Sequence, residues 1–333
     1  MTTNNQNHLD STIPQGQRSF NDLLCNSLNG YENRLGGSAL GLSASWPSLR
    51  KYIHGFKPGE LIIVASQPSI GKTSFILNMI LDMAINQKAS ILMFSLAMKA
   101  EQIVDNLCCI ECKMDGIQWR NPTGVITDRE QVRIMNGIER LSKTKIVIDD
   151  NSVLNPTRLR EAALNMKQEQ GLDAIFIDSL QFMNDDFGMR STYDDQYQEN
   201  FNISRQLKII AKEFNVPVFA VAQLKQNIDS RAEKVPRISD LSDGGSLEQN
   251  ADVVILLHRP EVFSPDKNNP IRPGEADIII SKNRNGDVGK VGILFIKNRM
   301  TFCEKDRDET MNSDPEKIIA ANEKKSHKSA LKR

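Results

Sequence analysis

The sequence predicts an α/β fold, with a mostly parallel twisted sheet, helices on both faces and an antiparallel extension. Three observations support this fold class. Short apolar runs alternate with longer amphipathic segments, which is typical of parallel strands joined by helices. A glycine-containing turn connects the first apolar run to the first helical segment. In the last third of the chain, apolar runs follow one another without helical segments, which indicates antiparallel pairing.

Length, charge and hydropathy limit the classes of protein that fit. The chain has 333 residues, enough for one large domain or two smaller ones. Its 42 basic and 42 acidic residues cancel, so any nucleic-acid site must be a local patch. No apolar run approaches the about 20 residues of a membrane-spanning helix, and the N-terminus lacks a signal-peptide pattern. We expect a cytoplasmic protein without membrane contact.

The cysteines indicate a reducing compartment. Cys25, Cys108, Cys109, Cys112 and Cys303 are odd in number and lack the spacings of a disulfide framework. Two of them form a C-x-x-C motif, but no second pair follows and the histidines are scattered. Packing inside a helix is therefore favoured over a zinc site.

The N-terminal region divides into a tail and a helix. Residues 1–17 are polar and are expected to be disordered. Residues 18–34 have the periodicity of a short amphipathic helix. Its apolar face contains Phe20, Leu23, Leu24, Leu28 and Tyr31. An isolated helix of this size needs a partner surface.

Residues 35–303 are predicted to form the main domain, followed by a charged tail at 304–333 that is either solvated or in contact with phosphate. The strands that alternate with helices are LIIVAS, ASILMFS, TKIVIDD, DAIFID and PVFAVAQ. Helices are expected at 72–87, 99–113, 156–170 and 200–214. The antiparallel strands are DVVILLHR, EADIIISKNR and KVGILFI, with a hairpin turn at NGD.

The stretch SQPSIGKTS at residues 66–74 has the pattern and position of a P-loop. Backbone N–H groups from Ser69 to Lys72 would surround a β-phosphate, helped by the helix N-terminus. Lys72 would reach the β- and γ-phosphates, and the hydroxyl of Thr73 would bind Mg²⁺. The pattern normally opens with glycine, whereas here it opens with Ser66, which is small but not free at positive φ. The alternative is an ordinary Gly-Lys helix start.

Two later strands end in polar residues that suit the same site. AIFID ends in Asp178, where a Walker B carboxylate would bind Mg²⁺ in the crevice at the strand end. A helix-capping aspartate is the alternative. The next strand ends in Gln223, an uncharged donor suited to sensing a γ-phosphate. We therefore predict ATP and Mg²⁺ as ligands. The predicted contact residues are Ser66, Pro68, Ser69, Gly71, Lys72, Thr73, Ser74 and Asp178.

Six blocks, in this order, resemble the C-terminal motor domain of the bacterial replicative helicase family DnaB. They are GELIIVASQPSIGKTSF, FSLAMKAEQI, IFIDSLQFM, ISRQLKIIAKEFNVPVFAVAQL, ISDLSDGGSLEQNADVVILLHR and SKNRNGDVG. The resemblance covers residues 18–303. It implies a RecA-like fold, assembled as a hexameric ring around single-stranded DNA and moving 5′ to 3′ by ATP hydrolysis at subunit interfaces. It also implies that the Phe20 helix is a linker helix that docks on the neighbouring subunit.

The resemblance assigns further roles by position. Gln223 would be the γ-phosphate sensor. Lys282 and Arg284 would enter the adjacent subunit's site as an arginine finger and its lysine companion. Without the resemblance, these two cations would be interpreted as the solvated charges of a hairpin.

The strand ILMFS leads into a turn that lacks an acid. The family has a water-activating glutamate where this chain has Ala97. Losing a general base costs about 10²- to 10⁴-fold, so we expect impaired hydrolysis. Glu101 is not expected to substitute, because the family has that acid as well. The alanine is either an engineered trap that holds ATP or a natural loss.

The DNA-binding loop also departs from the family. Its Arg-Glu-Ser-Gly sequence is replaced here by Ser242, Asp243, Gly244 and Gly245. This change removes one charge-assisted phosphate contact per subunit, although backbone N–H groups of the loop can still bind phosphate. The nearby cations either compensate or are simply solvated. They are Lys225, Arg231, Lys234 and Arg237.

Two hypotheses of different class remain. The first is a DnaB-type motor, with single-stranded DNA, other copies of the chain and a helicase loader or other replication proteins as partners. The second is an ATP-binding ring that binds DNA or another replication protein but turns ATP over too slowly to be a motor. Lys282 and Arg284 favour the first, and Ala97 and Ser242 favour the second. A RecA-type recombinase fits the DGGSLEQNAD and KNRNG blocks less well.

The family's N-terminal collar domain has no counterpart before residue 18, so primase docking by that route is not expected.

Overall fold

The fold is taken from a computed structural model of the chain. It describes residues 19–35, 41–123, 126–184, 193–224, 231, 234–241, 246–264 and 271–305. The predicted tail at 1–17, the loop at 242–245 and residues 306–333 lie outside this part. The chain divides into two units, residues 1–40 and 41–333.

The first unit contains one described helix, α1 (Phe20–Leu35). The helix predicted at 18–34 is thus confirmed with nearly the same bounds. Its apolar residues are exposed, from 42% at Leu23 to 76% at Phe20. A helix that leaves this face exposed gains little free energy from burial.

The second unit is built on a nine-stranded sheet in the order β3-β2-β4-β5-β1-β6-β7-β8-β9. Neighbouring strands from β3 to β6 in this order are parallel, and those from β6 to β9 are antiparallel. The predicted parallel sheet with an antiparallel extension is confirmed. The strands are β1 (Leu61–Ser66), β2 (Ser90–Ser95), β3 (Lys145–Asp149), β4 (Ala174–Asp178), β5 (Val218–Gln223), β6 (Val253–His258), β7 (Glu275–Asn283), β8 (Gly289–Ile296) and β9 (Thr301–Glu304).

Helices cover both faces of the sheet. They are α2 (Pro47–Arg50), α3 (Lys72–Leu81), α4 (Ala100–Glu111), α5 (Gly116–Arg120), α6 (Asp128–Ser142), α7 (Pro156–Glu169), α8 (Tyr193–Phe214) and α9 (Ser246–Asn250). A π-helical turn, Asp82–Asn86, extends α3 to nearly the predicted end. The helix predicted from residue 200 begins earlier, at Tyr193. None of the helices in the described ranges is long and apolar enough to cross a membrane.

Alternate residues of each central strand enter two separate cores. In β1, Ile62 and Val64 pack with α3 on one face, whereas Leu61, Ile63 and Ala65 pack with α7 and α8 on the other. A strand buried on both faces reads as a continuous apolar run, as LIIVA does. This two-sided burial holds the ends of the strands in place for the site.

The sequence analysis did not predict the short helices α2, α5 and α9, the longer helix α6 or the strand β9. Helix α6 begins with a capping box in which Thr127 accepts a hydrogen bond from Glu130 N–H and Glu130 accepts one from Thr127. Its only buried residue is Gly137. The sequence of α6 thus carries two helix signals that the prediction did not use, the capping box and apolar residues at 132, 135 and 138 with the spacing of one helix face.

The C-x-x-C motif lies at the end of α4, where Cys108, Cys109 and Cys112 are buried thiols. Burial raises the pKa of Cys109 and of Cys112 to about 11. Both are therefore neutral near pH 7 and behave as small apolar side chains. This placement agrees with the packing interpretation.

Candidate nucleotide-binding site

The carboxyl ends of four neighbouring strands bring the predicted site residues to one edge of the sheet. Ser95 of β2 pairs in register with Asp178 of β4, and Ser66 of β1 pairs with Gln223 of β5. Between β4 and β5, Ile177 pairs with Ala220, so Ser66 and Gln223 extend two residues beyond the level of Ser95 and Asp178. Asp178 and Gln223 therefore join the P-loop, as the sequence predicted.

The P-loop turns through two residues in the left-handed region, Ser69 (φ 63°) and Gly71 (φ 107°). Between them, Ile70 is buried and anchors the turn in the core. Ser66 ends β1 in extended conformation and is not among the positive-φ residues. Replacing the usual opening glycine by Ser66 therefore introduces no backbone strain.

Lys72 lies across the loop that precedes it. Its ammonium group donates hydrogen bonds to the carbonyl oxygens of Ser66 (3.0 Å) and Gln67 (3.1 Å). Burial lowers its pKa to about 8, and the charge of Asp178 opposes this shift. A partly desolvated cation above a helix N-terminus is suited to bind the phosphates of a nucleotide.

Thr73 and Asp178, the two residues predicted to bind Mg²⁺, lie side by side. The Thr73 hydroxyl donates a 2.6 Å hydrogen bond to Oδ2 of Asp178. Burial raises the pKa of the Asp178 carboxyl, while its hydrogen bond from Thr73 and the charge of Lys72 act against this rise. A hydroxyl and a carboxylate side by side are the hard oxygen ligands that Mg²⁺ prefers, so the residues fit this ion.

Ala97 lies in the turn that leads from β2 into α4, beside Asp178. The turn is held by a 2.7 Å hydrogen bond from the Ser95 hydroxyl to Met98 O, and the Leu96 N–H donates to Asp178 O (2.7 Å). Ala97 itself is exposed and carries no titratable group. The neighbouring acid Asp150 accepts a hydrogen bond from Ala100 N–H at the start of α4.

Lys282 and Arg284 lie at the opposite edge of the sheet. Because β7 runs antiparallel to β6, Lys282 pairs with Val254 and Asn283 with Val253, near the amino end of the parallel strands. Arg284 N–H donates to Asp252 O, level with the start of β1. With about 3.3 Å per residue, the length of β1 separates Arg284 from the P-loop of its own chain by roughly 16 Å.

Contacts within the chain hold both cations. Lys282 Nζ donates to Glu248 O in α9 (2.7 Å), and Arg284 forms a 3.2 Å ion pair with the buried carboxylate of Asp252. Burial, and then the charge of Arg284, lowers the pKa of Lys282. The Arg284 side chain remains 53% exposed, which leaves it accessible to a second molecule.

The predicted DNA-binding cations differ in their contacts. Arg231 forms a bidentate ion pair with Asp240, which is 4% exposed and also accepts from Arg237 N–H. The side chain of Arg237 is exposed, and that of Lys234 is partly buried. Ser242, Asp243 and Gly245, together with Lys225, lie outside the described residues.

Arg259 contacts the P-loop and was missed by the sequence analysis. It follows β6 directly and is 5% exposed, with its guanidinium 3.3 Å from Ile70 O. The available signal was an arginine placed immediately after the buried strand VVILLH. A buried cation at that position needs partners inside the fold.

Comparison with known proteins identifies the family. The family described as DnaB-like helicase C terminal domain matches residues 41–304. The chain belongs to this family. The match begins after α1 and ends with β9, so it covers the whole described sheet. The resemblance found in the sequence is thereby confirmed.

Curated relatives agree with this assignment. The replicative DNA helicase DnaC of Bacillus subtilis is 36% identical over 271 residues, which cover 81% of this chain and 58% of the relative. The replicative DNA helicase DnaB of Geobacillus stearothermophilus is 34% identical over 292 residues, which cover 87% of this chain and 63% of the relative. The chain thus spans about three fifths of these DnaB-type relatives.

Solved structures confirm the RecA-like fold of the DnaB motor. A solved ATPase domain superposes with a TM-score of 0.79 and 25% identity, covering 87% of this chain and 100% of that domain. A DnaB-like replicative helicase, solved in a study of its interactions with primase, gives a TM-score of 0.74 and 25% identity, covering 84% of this chain and 67% of that one.

Proposed function

We propose that this chain is an ATP-driven motor that translocates along single-stranded DNA as a ring, in the manner of a DnaB-type replicative helicase. One observation carries the proposal. The phosphate-binding residues and the two candidate trans residues lie at opposite edges of one sheet. A site with Lys72 at one edge and Arg284 at the other cannot be completed within one chain.

A second copy of the chain supplies the missing half. If the edge with Lys282 and Arg284 faces the P-loop edge of a neighbour, each contact is head-to-tail. Head-to-tail contacts close into rings when the rotation between subunits allows it. The family resemblance supports six subunits, with α1 docked on the neighbouring subunit through its exposed apolar face.

Each residue has a distinct task in phosphoryl transfer. Lys72 and the N–H groups of the P-loop bind the phosphates, and Thr73 and Asp178 hold Mg²⁺. When bound, Mg²⁺ neutralises charge that develops on the phosphate oxygens. Gln223 contacts the γ-phosphate from the end of β5. Arg284 of the neighbouring subunit, with Lys282, stabilises the charge of the transition state.

Single-stranded DNA is the proposed track. Arg237 is an exposed cation for its phosphates, Lys234 lies close to it in sequence, and Arg231 orders the segment through Asp240. Loop residues Ser242, Asp243 and Gly245 would add backbone contacts. A helicase loader or another replication protein is a further proposed partner.

A second function remains open because of Ala97. An exposed methyl group stands where the family has its water-activating glutamate, and the nearby Asp150 is already bound to Ala100 N–H. This observation favours an ATP-binding ring that hydrolyses ATP too slowly to move along DNA. The substitution Ala97→Glu separates the two functions, because it restores the missing general base.

Subunit mixing tests the shared site. In the Ala97→Glu background, Lys72→Ala and Arg284→Ala should each lose ATP turnover, the latter by about 10³- to 10⁵-fold. Mixing the two variants should restore part of the turnover. In mixed rings, an intact P-loop from an Arg284→Ala subunit can meet an intact Arg284 from a Lys72→Ala subunit.

The matched control is Lys290→Ala on β8, which removes an exposed cation paired with Asp277. It should keep the turnover of its background. Failure of the mixture to regain activity, while mixed rings are seen by native mass spectrometry, would contradict a site shared between subunits.

A further inference from the structure

A buried arginine lies on the inner side of the phosphate-binding loop. Arg259 directly follows β6, the strand that pairs with β1, and β1 leads into the P-loop. Its side chain is 6% exposed. An arginine in the interior is costly unless its charge and its donors find partners, so its contacts indicate what the position is used for.

Those contacts lead to the P-loop. The guanidinium Nη1 donates to the carbonyl oxygens of Ile70 (3.3 Å) and, more weakly, of Ser69 (3.5 Å). Nη2 forms an ion pair with Glu261, which also accepts a 2.7 Å hydrogen bond from Gly274 N–H. The guanidinium carbon lies 4.4 Å from the centre of the Phe295 ring, within the range of a cation–π contact.

The geometry of the peptide bond determines the direction of the N–H groups on the opposite side of the loop. In a planar trans peptide, the C=O of one residue and the N–H of the next point in opposite directions. Since Arg259 holds the carbonyls of Ser69 and Ile70 on the inner side, the N–H groups of Ile70 and Gly71 point away from it. These are donors that a P-loop uses to bind phosphate.

The backbone conformation of the P-loop requires supporting contacts of this kind. Ser69 and Gly71 have φ values of 63° and 107°. For a residue with a side chain, such as Ser69, this left-handed conformation costs free energy and persists only where surrounding contacts hold it. Phe295 also packs against Gly71, where an added Cβ would lie 3.5 Å from its ring. The same aromatic ring therefore supports both the loop and the arginine that holds it.

We propose that Arg259 is a positioning residue for the nucleotide site. It fixes the P-loop from within the fold so that the N–H groups of Ile70 and Gly71 face the phosphates before nucleotide arrives. Glu261 and Phe295 orient its guanidinium. Without the arginine, the loop samples other peptide orientations, and nucleotide must select the competent one. The inference rests on the proposed binding of nucleotide at this loop.

The test measures the affinity of the full chain for ADP with Mg²⁺, by calorimetry and well below the unfolding temperature. Arg259→Gln should weaken binding by about 10- to 100-fold, the scale on which misplaced supporting groups affect a site. Arg259→Lys should weaken binding as well, because an ammonium group keeps the charge but lacks the planar fork. Affinity for single-stranded DNA, which does not use these N–H groups, should remain at the parent value.

Arg272→Gln is the matched control. Arg272 is ion-paired with Glu275 and Asp277 of β7 rather than with a carbonyl group of the P-loop. The inference is overturned if Arg259→Gln and Arg259→Lys bind ADP within twofold of the parent, or if Arg272→Gln weakens ADP binding equally. If Arg259→Gln does not fold, Arg259→Lys and Glu261→Gln decide by the same criterion.

A parallel Lys72→Ala variant separates this inference from the proposed function. If the parent binds ADP and Lys72→Ala does not, the site is a nucleotide site and the Arg259 variants test only its positioning. If the parent itself does not bind ADP, the proposed function fails first.

Discussion

The hydroxyl of Thr73 and the carboxylate of Asp178 are 2.6 Å apart although 105 positions separate them in the chain. Thr73 lies in the first turn of α3, and Asp178 ends β4, two strands away from the P-loop strand in the sheet. The hydrogen bond between them holds both proposed Mg²⁺ ligands together. Mg²⁺ therefore needs to replace one hydrogen bond rather than assemble its ligands.

We expect Asp178→Asn to remove the contribution of Mg²⁺ to ADP binding, about 10- to 100-fold in affinity. The amide oxygen can still accept from Thr73, so the fold should survive, but the charge that attracts Mg²⁺ is lost. Calorimetry with Mg²⁺ and with EDTA measures this contribution. Asp173→Asn is the control, because Asp173 accepts from Ser90 N–H at the other edge of the sheet. Full Mg²⁺ dependence in Asp178→Asn would contradict the assignment.

Lys72 should make nucleotide affinity depend on pH. Burial lowers its pKa to about 8, and the neutral amine that forms above this pH binds phosphate weakly. We expect the contribution of Lys72 to ADP affinity to be constant below about pH 7 and the affinity to fall by up to about tenfold per pH unit above about pH 8. Lys72→Arg stays charged across this range and should give a flatter profile. Identical profiles for the two proteins would show that Lys72 does not titrate in this way.

The same shift affects the stability of the nucleotide-free protein. The ordinary pKa of 10.5 applies to Lys72 in the unfolded chain, against about 8 in the folded one. Between about pH 8 and pH 10.5, Lys72 is protonated in the unfolded chain and mostly neutral in the folded one. Stability contributed by this group therefore rises as the pH increases through this window. Denaturant unfolding of the parent and of Lys72→Arg, compared from about pH 8 to about pH 10, should show this difference in slope.

Ala97→Glu should raise the ATP turnover stimulated by single-stranded DNA by about 10²- to 10⁴-fold, the usual contribution of a general base. The measurement compares parent, Ala97→Glu and Ala97→Gln, with and without DNA. Glutamine has the size of glutamate but cannot take the proton, so it should remain near the parent rate. If Ala97→Glu stays inactive while ATP still binds, the motor proposal fails and the ATP-binding ring replaces it.

Binding to single-stranded DNA should weaken with salt, with a slope of about −0.7 per phosphate contacted. Arg237→Ala should reduce the magnitude of that slope by about 0.7, the contribution of one phosphate contact. It should not change the stability of the protein, since the Arg237 side chain is exposed. Arg231→Ala should also lower stability, because it leaves the buried Asp240 without its ion pair. Lys143→Ala, on the exposed pair with Glu139, is the control. Binding that does not respond to salt would contradict contact with the DNA backbone.

Local sequence patterns were sufficient to predict most of the fold and about half of the site residues. Two-sided burial makes strands such as β1 continuous apolar runs, and the P-loop is a contiguous motif, so both are visible in the sequence. Helix α6 has a capping box and apolar residues with the spacing of one helix face, so it could have been predicted from the sequence although it was not. Arg259 was missed because its partners, Ser69 and Ile70, are distant in the chain.

The sequence by itself determined the order of strands and helices, the P-loop, Asp178, the missing acid at Ala97 and, through six ordered blocks, the family. These features depend on residue type and on short-range periodicity. Only the tertiary structure decided that Thr73 meets Asp178, that Arg259 supports the P-loop, and that Arg284 lies at the far edge of the sheet. Strand order and direction set these relationships, and pairing between distant segments depends on the packing of the whole core rather than on any local pattern.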